Sequence, residues 1–362
     1  MTKISMFDKF AIGKIQIKNR LVSSSIFERV ANNGHISSAI IEYYRHLAEG
    51  GVGLVITGME AISEGAVNGP AMIKTTYDGY IEDLKKLVDI MHANDTKIFV
   101  QLQHTGYKTA WQQGCDTFGP SPYKVTEACT YHEATAEELE KLVHDFGQAA
   151  LRCQQAGCDG VEIHAVHGYL LNTFLSPYFN HRTDEYGGSI ANRARLLLAV
   201  YDEVRKQVGK DFCVGVKFPC SDLVTPSITP EETVWACQEL EKRGIDMIEV
   251  SAGIDRNGGP SSFAPFARTG KKEGKFSEGA ELIASHVHVP VLSVGGYRSP
   301  QFIEDILNTT HITAISLGRP LISEPNLINR WQTDPTAARC ISCNGCFTTP
   351  NIVSCVLNKK QS

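Results

Sequence analysis

His164, His167 and Tyr169 fall within six residues, directly after the apolar run that starts at Val161. Two imidazoles and a phenol at the end of a buried strand make a poor core. They make a good grip on a carbonyl oxygen, because each imidazole carries an N–H donor. A phenol, with an ordinary pKa of about 10, keeps a proton to give at neutral pH. The three-residue spacing of His164 and His167 also suits two metal ligands on one helix face. No third ligand stands at a characteristic spacing for zinc, and a structural pair bonded to loop carbonyls is the other alternative.

Further reactive groups follow short apolar runs: Gln101 with His104, Lys217, the pair Gly295-Gly296, and Gly318-Arg319. A lysine inside an apolar strand end is costly to bury without a partner. Lys217 therefore reads as a fixed positive charge for an anionic cofactor edge, or as a rim lysine whose head reaches solvent. Gln101 offers a donor and an acceptor to a heterocycle, or satisfies a rim carbonyl. The glycines let backbone N–H groups approach a phosphate, and Arg319 adds a charge-matched donor; each pair taken alone also reads as a turn.

Such groups need buried strands with open ends to hold them. Short runs rich in Val, Ile and Leu predict strands at Arg20–Ser25, Gly53–Thr57, Lys97–Leu102, Gly160–Ile163, Cys213–Phe218, Met247–Ser251, Val289–Val294 and Ala314–Leu317. They show little alternation, as in parallel sheets covered on both faces. Helical patterns alternate with them, the clearest at Ala136–Ala156. There Leu139, Leu142, Phe146 and Cys153 share one face, Thr135 and Glu138 form a capping box, and Gly157 stops the helix. A second helix starts with Pro230 after Thr229 and runs to about Lys242. The segment Lys108–Thr135, with Gly119-Pro120-Ser121-Pro122, reads as an irregular binding loop.

Eight buried strands, each followed by a helix, predict an α/β fold: a single (β/α)8 TIM barrel over residues 1–339 with a short Cys-containing tail over 340–362. The competing doubly wound sheet lacks its early Gly-rich dinucleotide turn. In a barrel, reactive residues gather at the C-terminal strand ends, and the loops after strands seven and eight commonly hold phosphate. Gln101, His164, Lys217 and both glycine pairs fall at those ends.

The bulk numbers exclude several classes. A net charge of -5 over 362 residues gives no basic field for nucleic acid. No apolar run approaches the roughly 20 residues of a membrane span. The first twenty residues are charged throughout, unlike a secretory signal. Eleven cysteines in that context suggest free or ligating thiols in a reducing compartment, so the cytoplasm is expected.

The segment from Val161 to Arg195 closely resembles the signature of the old yellow enzyme family of flavin-dependent ene-reductases. The likeness includes Gly168-Tyr169-Leu170-Leu171, Phe174-Leu175-Ser176-Pro177, and Arg182-Thr183-Asp184-Glu185-Tyr186-Gly187-Gly188-Ser189. Asn19-Arg20-Leu21-Val22, Gln101-Leu102-Gln103-His104, Val214-Gly215-Val216-Lys217 and Gly318-Arg319-Pro320 extend it along most of the chain. The resemblance implies FMN as cofactor and NADH or NADPH as reductant. It implies that Ser24, Ser25, Ile26 and Gly58 line the flavin, that Gln101 bonds its pyrimidine edge, and that Lys217 stands near its N1/O2 edge. Gly295, Gly296, Gly318 and Arg319 would hold the phosphate. Hydride would pass from the nicotinamide through flavin N5 to an activated alkene, an α,β-unsaturated carbonyl or nitroalkene. His164 and His167 would bind the carbonyl, and Tyr169 would supply the proton. The alternatives are a flavin dehydrogenase or nitroreductase on the same scaffold, a metal-dependent barrel lyase without flavin, and an FMN-binding subunit without catalysis. A small electron-poor molecule is the expected partner, with further copies of the chain an open alternative.

Two places depart from the family pattern. Many members carry Pro-Met-Thr or Pro-Met-Cys where this chain has Ser25-Ile26-Phe27, and Phe27 cannot donate a hydrogen bond to the flavin; Glu28 resembles an acidic residue found in one subgroup. In the tail, Cys340, Cys343, Cys346 and Cys355 resemble the ligands of a 4Fe–4S cluster in longer relatives, but with two residues rather than three between the second and third cysteines. Iron–sulfur, zinc and unliganded thiols are the three readings of this tail.

Overall fold

The computed structural model describes residues 3–108, 117–126, 129–254, 273–348 and 354–358, with the backbone alone at 125, 126, 129 and 348. Eight strands carry the fold: β1 (Leu21–Ser23), β2 (Leu54–Ile56), β3 (Lys97–Gln103), β4 (Gly160–His164), β5 (Cys213–Pro219), β6 (Met247–Ser251), β7 (Val291–Val294) and β8 (Ala314–Leu317). Each pairs in parallel with the next, and β8 pairs with β1, Ile315 opposite Leu21, which closes the ring. The expected (β/α)8 barrel is the fold.

Helices α1 (Ser38–Glu49), α2 (Ile81–His92), α3 (Ala136–Gln155), α4 (Arg195–Val208), α5 (Pro230–Lys242), α6 (Ser277–Ala284) and α7 (Pro300–Thr309) follow the first seven strands. Two short helices, α8 (Arg319–Ser323) and α9 (Leu327–Thr333), follow the eighth. Helices α3 and α5 both open with full capping boxes, Thr135 with Glu138 and Thr229 with Glu232.

Side-chain alternation along the strands explains how one barrel is oily below and polar above. Val161, Ile163, Val214, Val216, Ile248 and Val250 face the helices and form the main core with them. Their neighbours face inward in layers. The bottom layer is apolar: Phe99, Cys213, Met247, Leu292 and Ala314 pack with Phe10, Ile12 and Ile17. One step up stand Gln101, Glu162, Glu249 and Ser316, all buried. One step further, at the C-terminal rim, stand His164, Lys217 and Ser251.

Two regions differ from the sequence reading. Phe10–Ile12 and Ile15–Ile17 form an antiparallel hairpin that plugs the barrel floor, turning at Gly13 with φ +52°. The stretch expected to be an irregular loop instead carries three short strands, Phe118–Gly119, Tyr123–Thr126 and Cys129–Glu133, paired in one small sheet. Strands this short have no local signal; Tyr107, Tyr131, Phe179 and Ile254 form the apolar cluster that holds them. The described part of the tail packs against the rim, where Cys346 and Cys355 touch Ile322, Ile26 and Phe347. Residues 349–353 and 359–362 of the tail lie outside the described residues. No helix among the described residues is long and apolar enough to cross a membrane.

Candidate active site

A cleft opens at the C-terminal rim, the end at which a barrel carries its ligand site. Most of the residues singled out from the sequence line it: Ser24, Ser25, Ile26, Gln101, His164, His167, Tyr169, Lys217, Gly295, Gly296, Gly318 and Arg319. The chain therefore converges here from the ends of β1, β3, β4, β5, β7 and β8.

The floor is a buried polar relay. Ser25 Oγ donates to Gln101 Oε1 at 2.9 Å, and Gln101 Nε2 donates to Glu162 Oε2 at 2.6 Å. Lys217 Nζ donates to Ser24 Oγ at 2.8 Å and pairs with Glu249 Oε2 at 2.5 Å. Glu162 Oε1 has no hydrogen-bond partner among the described residues. Burial pushes the Glu162 carboxyl up to about 8, helped by the negative charge of Glu249. Glu162 is thus mainly neutral at pH 7, and the ion pair of the floor is that of Lys217 with Glu249.

That proton has a consequence for stability. A carboxyl whose folded pKa exceeds its unfolded value stabilises the fold below the unfolded pKa and loses that stability as pH rises through the folded one. Between pH 4.5 and about 8 the native state of this chain therefore loses stability at Glu162. Replacing Glu162 with Gln should remove this slope. The melting temperature of E162Q should gain on the parent steadily over that window, by a free energy on the order of a few kcal/mol at its upper end. A difference independent of pH would show that Glu162 does not carry the proton.

His164 and His167 stand edge to face, with ring centroids 5.3 Å apart, and Tyr169 tilts against His164 at 4.8 Å. His167 takes a left-handed backbone, φ +66°, followed by Gly168 at +74°, and this reversal returns Tyr169 to the same cleft. His167 Nε2 lies 2.8 Å from Ser251 Oγ, which orients the ring; His164 Nδ1 has no partner among the described residues. Burial holds both imidazoles well below their ordinary pKa. The ammonium of Lys217 and that of Lys108 push each further down, and for His167 the neighbouring His164 adds to this. Each ring is therefore neutral, with one N–H to donate and one nitrogen to accept.

Two expected members are placed elsewhere. Gly58 is not among the cleft residues: its N–H donates to Glu28 Oε1 at 2.9 Å and to the Tyr44 hydroxyl at 2.7 Å, and Met59 lines the cleft instead. Glu28 is buried, accepts a hydrogen bond from Tyr44, and its carboxyl is pushed up to about 7 by burial. His104 lines a separate outer cavity beside Phe118. Its Nδ1 accepts from Gly106 N at 3.1 Å, and burial lowers its pKa to about 3. Phe27 does line the cleft.

Five contributors escaped the sequence reading. Glu162 and Glu249 are carboxylates inside apolar strands, a signal present in the sequence. Ser251 ends β6, as Lys217 nears the end of β5. Lys108 and Phe347 come from segments without a pattern of their own.

At the other end of the cleft, Gly296 has φ +81°, and a Cβ on Gly318 would press on Ile26 at 3.1 Å. Arg319 Nη1 donates to Asn344 Oδ1 at 2.5 Å and Ser342 O at 3.4 Å, so the tail fixes the guanidinium. Cys340, Cys346 and Cys355 are buried and Cys343 is exposed, all as free thiols. Among the described residues, no group of three or more His, Cys, Asp or Glu side chains is placed to hold a metal ion.

The described lining contains three cations, Lys108, Lys217 and Arg319, and no carboxylate. A cleft lined by the Gln101 amide, the buried Lys217 ammonium, two glycine pairs and Arg319 fits a planar anionic heterocycle carrying a phosphate.

The model of the NADH:flavin oxidoreductase / NADH oxidase family matches residues 5–336. The chain is 32% identical over 360 residues to an NADH oxidase of Thermoanaerobacter brockii, covering 95% of this chain and 53% of that protein. It is also 32% identical over 389 residues to a cinnamate reductase of Clostridium sporogenes, covering 98% of this chain and 57% of the relative. The chain thus spans little more than half the length of these two relatives. Among solved structures, an old yellow enzyme homologue from Zymomonas mobilis superposes with a TM-score of 0.78 at 25% identity, covering 93% of this chain and 95% of that one. On the barrel, the cleft and this match together, the chain belongs to the NADH:flavin oxidoreductase / NADH oxidase family.

Proposed function

We propose that the chain is an FMN-dependent reductase that uses NADH or NADPH to saturate electron-poor alkenes. The observation that carries this reading is the convergence of two neutral imidazoles and a phenol on the same cleft as Lys217 and Gln101. Bound FMN would supply hydride transfer from the nicotinamide to the β-carbon of the alkene. Gln101, Lys217 and the Ser24-Ser25-Ile26 segment would hold its ring, and Gly295, Gly296, Gly318 and Arg319 its phosphate. His164 and His167 would donate hydrogen bonds to the carbonyl or nitro oxygen. Neutral donors aimed at a developing oxyanion stabilise it without giving up a proton prematurely. Tyr169 would then protonate the α-carbon. Cinnamate, the substrate in the name of one relative, is an alkene of this kind.

An absorption spectrum of the purified protein tests the first requirement, because bound flavin absorbs in the visible. Turnover of cyclohexenone, a nitroalkene and a nitroaromatic with NADH or NADPH tests the reaction. A protein that bleaches with nicotinamide yet reduces no alkene would end the ene-reductase reading. The imidazoles have their own test. Phenols that bind over oxidised flavin give a long-wavelength charge-transfer band, and phenolate binding needs donors. Replacing both His164 and His167 with Ala should weaken that titration by about 10- to 100-fold. An unchanged titration would remove the pair from the substrate side.

A further inference from the structure

We propose that Asp222 is a positioning residue for the carbonyl grip: acting through Asn172, it fixes the reversal at His167 and Gly168 that aims Tyr169. This rests on the alkene-reductase reading and deepens it. Two consecutive left-handed residues make the reversal, with φ +66° at His167 and +74° at Gly168. A residue with a side chain resists this backbone, so His167 keeps it only where the surroundings hold it. Two of the contacts that hold it lead to Asp222. In the first, Gly168 N donates to Asn172 Oδ1 at 2.6 Å, on the short helix Leu170–Leu175, and Asn172 Nδ2 donates to Asp222 Oδ1 at 3.2 Å. In the second, His167 pairs with Ile254 in an isolated parallel bridge, and Ile254 N donates to the backbone oxygen of Asp222 at 3.0 Å. Asn172 and Asp222 are fully buried, and neither is among the cleft residues.

The order of donors and acceptors shows why an aspartate stands at 222. Its Oδ2 accepts from Ser176 Oγ at 2.7 Å and from Ile228 N at 3.1 Å. A carboxylate can only accept, so Asn172 must turn its NH2 toward Asp222 and leave its oxygen for Gly168 N–H. Asparagine at 222 removes that instruction. If the new amide turns its oxygen to Asn172, its NH2 confronts Ile228 N–H. If it turns its NH2 to Asn172, either two NH2 groups meet or Asn172 turns over and presents its own NH2 to Gly168 N–H. In each arrangement a buried donor loses its acceptor. Exchanging the two residues restores the order. With Asn172→Asp and Asp222→Asn together, the carboxylate at 172 accepts from Gly168 N and from the new amide at 222. The oxygen of that amide accepts from Ser176 Oγ and Ile228 N. Every hydrogen bond of the chain and its net charge are kept.

The test uses the FMN-loaded enzyme and follows its two half-reactions by rapid mixing: nicotinamide with the oxidised form, then cyclohexenone with the reduced form. A misplacement of about 1 Å at a reacting group can cost on the order of 100-fold, and only the alkene step draws its proton from Tyr169. Asp222→Asn should therefore slow the alkene step by about 10- to 100-fold more than flavin reduction. The double exchange should recover most of that loss. Equal losses in both half-reactions, or no loss, would make Asp222 a structural anchor alone and overturn the proposal. Should Asp222→Asn fail to fold, the double exchange decides: if it does not recover both folding and the alkene step, the proposal is overturned. A second readout needs no turnover. The charge-transfer titration with a phenol should weaken about 10-fold in Asp222→Asn and return in the double exchange. A titration indifferent to both would also overturn the proposal. If the parent reduces no alkene while its phenol titration follows this pattern of loss and rescue, the reductase reading fails and the positioning of the grip by Asp222 is supported on its own.

Discussion

Replacing Tyr169 with Phe is expected to slow alkene reduction by about 10²- to 10⁴-fold relative to the bleaching of bound flavin by nicotinamide, the range a positioned general acid contributes. The geometry makes this a clean deletion. The Tyr169 ring lies 4.8 Å from the His164 ring and 4.4 Å from the Lys108 ammonium. Both are contacts of the ring, which phenylalanine keeps while it loses the hydroxyl. The reversal at His167 and Gly168 that aims the ring is also untouched. Rapid mixing separates the two half-reactions: nicotinamide with oxidised enzyme, then alkene with reduced enzyme. A loss confined to the second identifies the proton donor. An equal loss in both would mean that the hydroxyl shapes the cleft and does not deliver the proton.

The parts of this site that were legible in the sequence, and those that were not, divide by physical cause. The barrel strands were legible because a strand buried on both faces must be apolar for most of its length, and nothing else explains eight such runs. His164, Lys217 and Gln101 were legible because they interrupt those runs. Glu162 and Glu249 interrupt them too. Their meaning depends on the inward-facing parity of a closed barrel, which places them one layer below His164 and Ser251. The same parity explains His104. It shares its side of β3 with Val100 and Leu102, which face the helices, whereas Gln101 faces the axis. Nearness to a strand end was a weaker guide than odd or even position. Gly58 was carried over by resemblance, and the carboxyl of Glu28 occupies the space next to it. Lys108 and the small sheet after it were illegible for another reason. Their partners, His167 and Phe179, are far away in the chain, and no local pattern announces a contact of that range.

Replacing Lys217 with Met should cost about 3–5 kcal/mol of folding stability near neutral pH, because it leaves a buried carboxylate without its counter-ion. Glu249 is fully buried, and its ion pair with Lys217 at 2.5 Å joins neighbouring strands β5 and β6. Glu249 Oε1 has no other partner among the described residues to take up the charge. Glu162, on β4 across β5 from Glu249, is already kept neutral in part by the charge of Glu249, so it offers no relief. In acid a proton can neutralise an orphaned carboxylate, so the deficit should shrink as pH falls and widen as it rises. Urea unfolding at several pH values measures this, with an unchanged m-value required to show that the same structure unfolds. The decisive comparison adds Glu249→Gln. With both charges gone the fold should recover most of the loss, while Glu249→Gln alone should also be costly, since it strands the lysine. That non-additivity is the signature of a coupled pair. A Lys217→Met protein as stable as its parent at every pH would mean that water or a rearranged Ser24 already satisfies Glu249. In that case the ammonium is held at the cleft floor for the ligand alone.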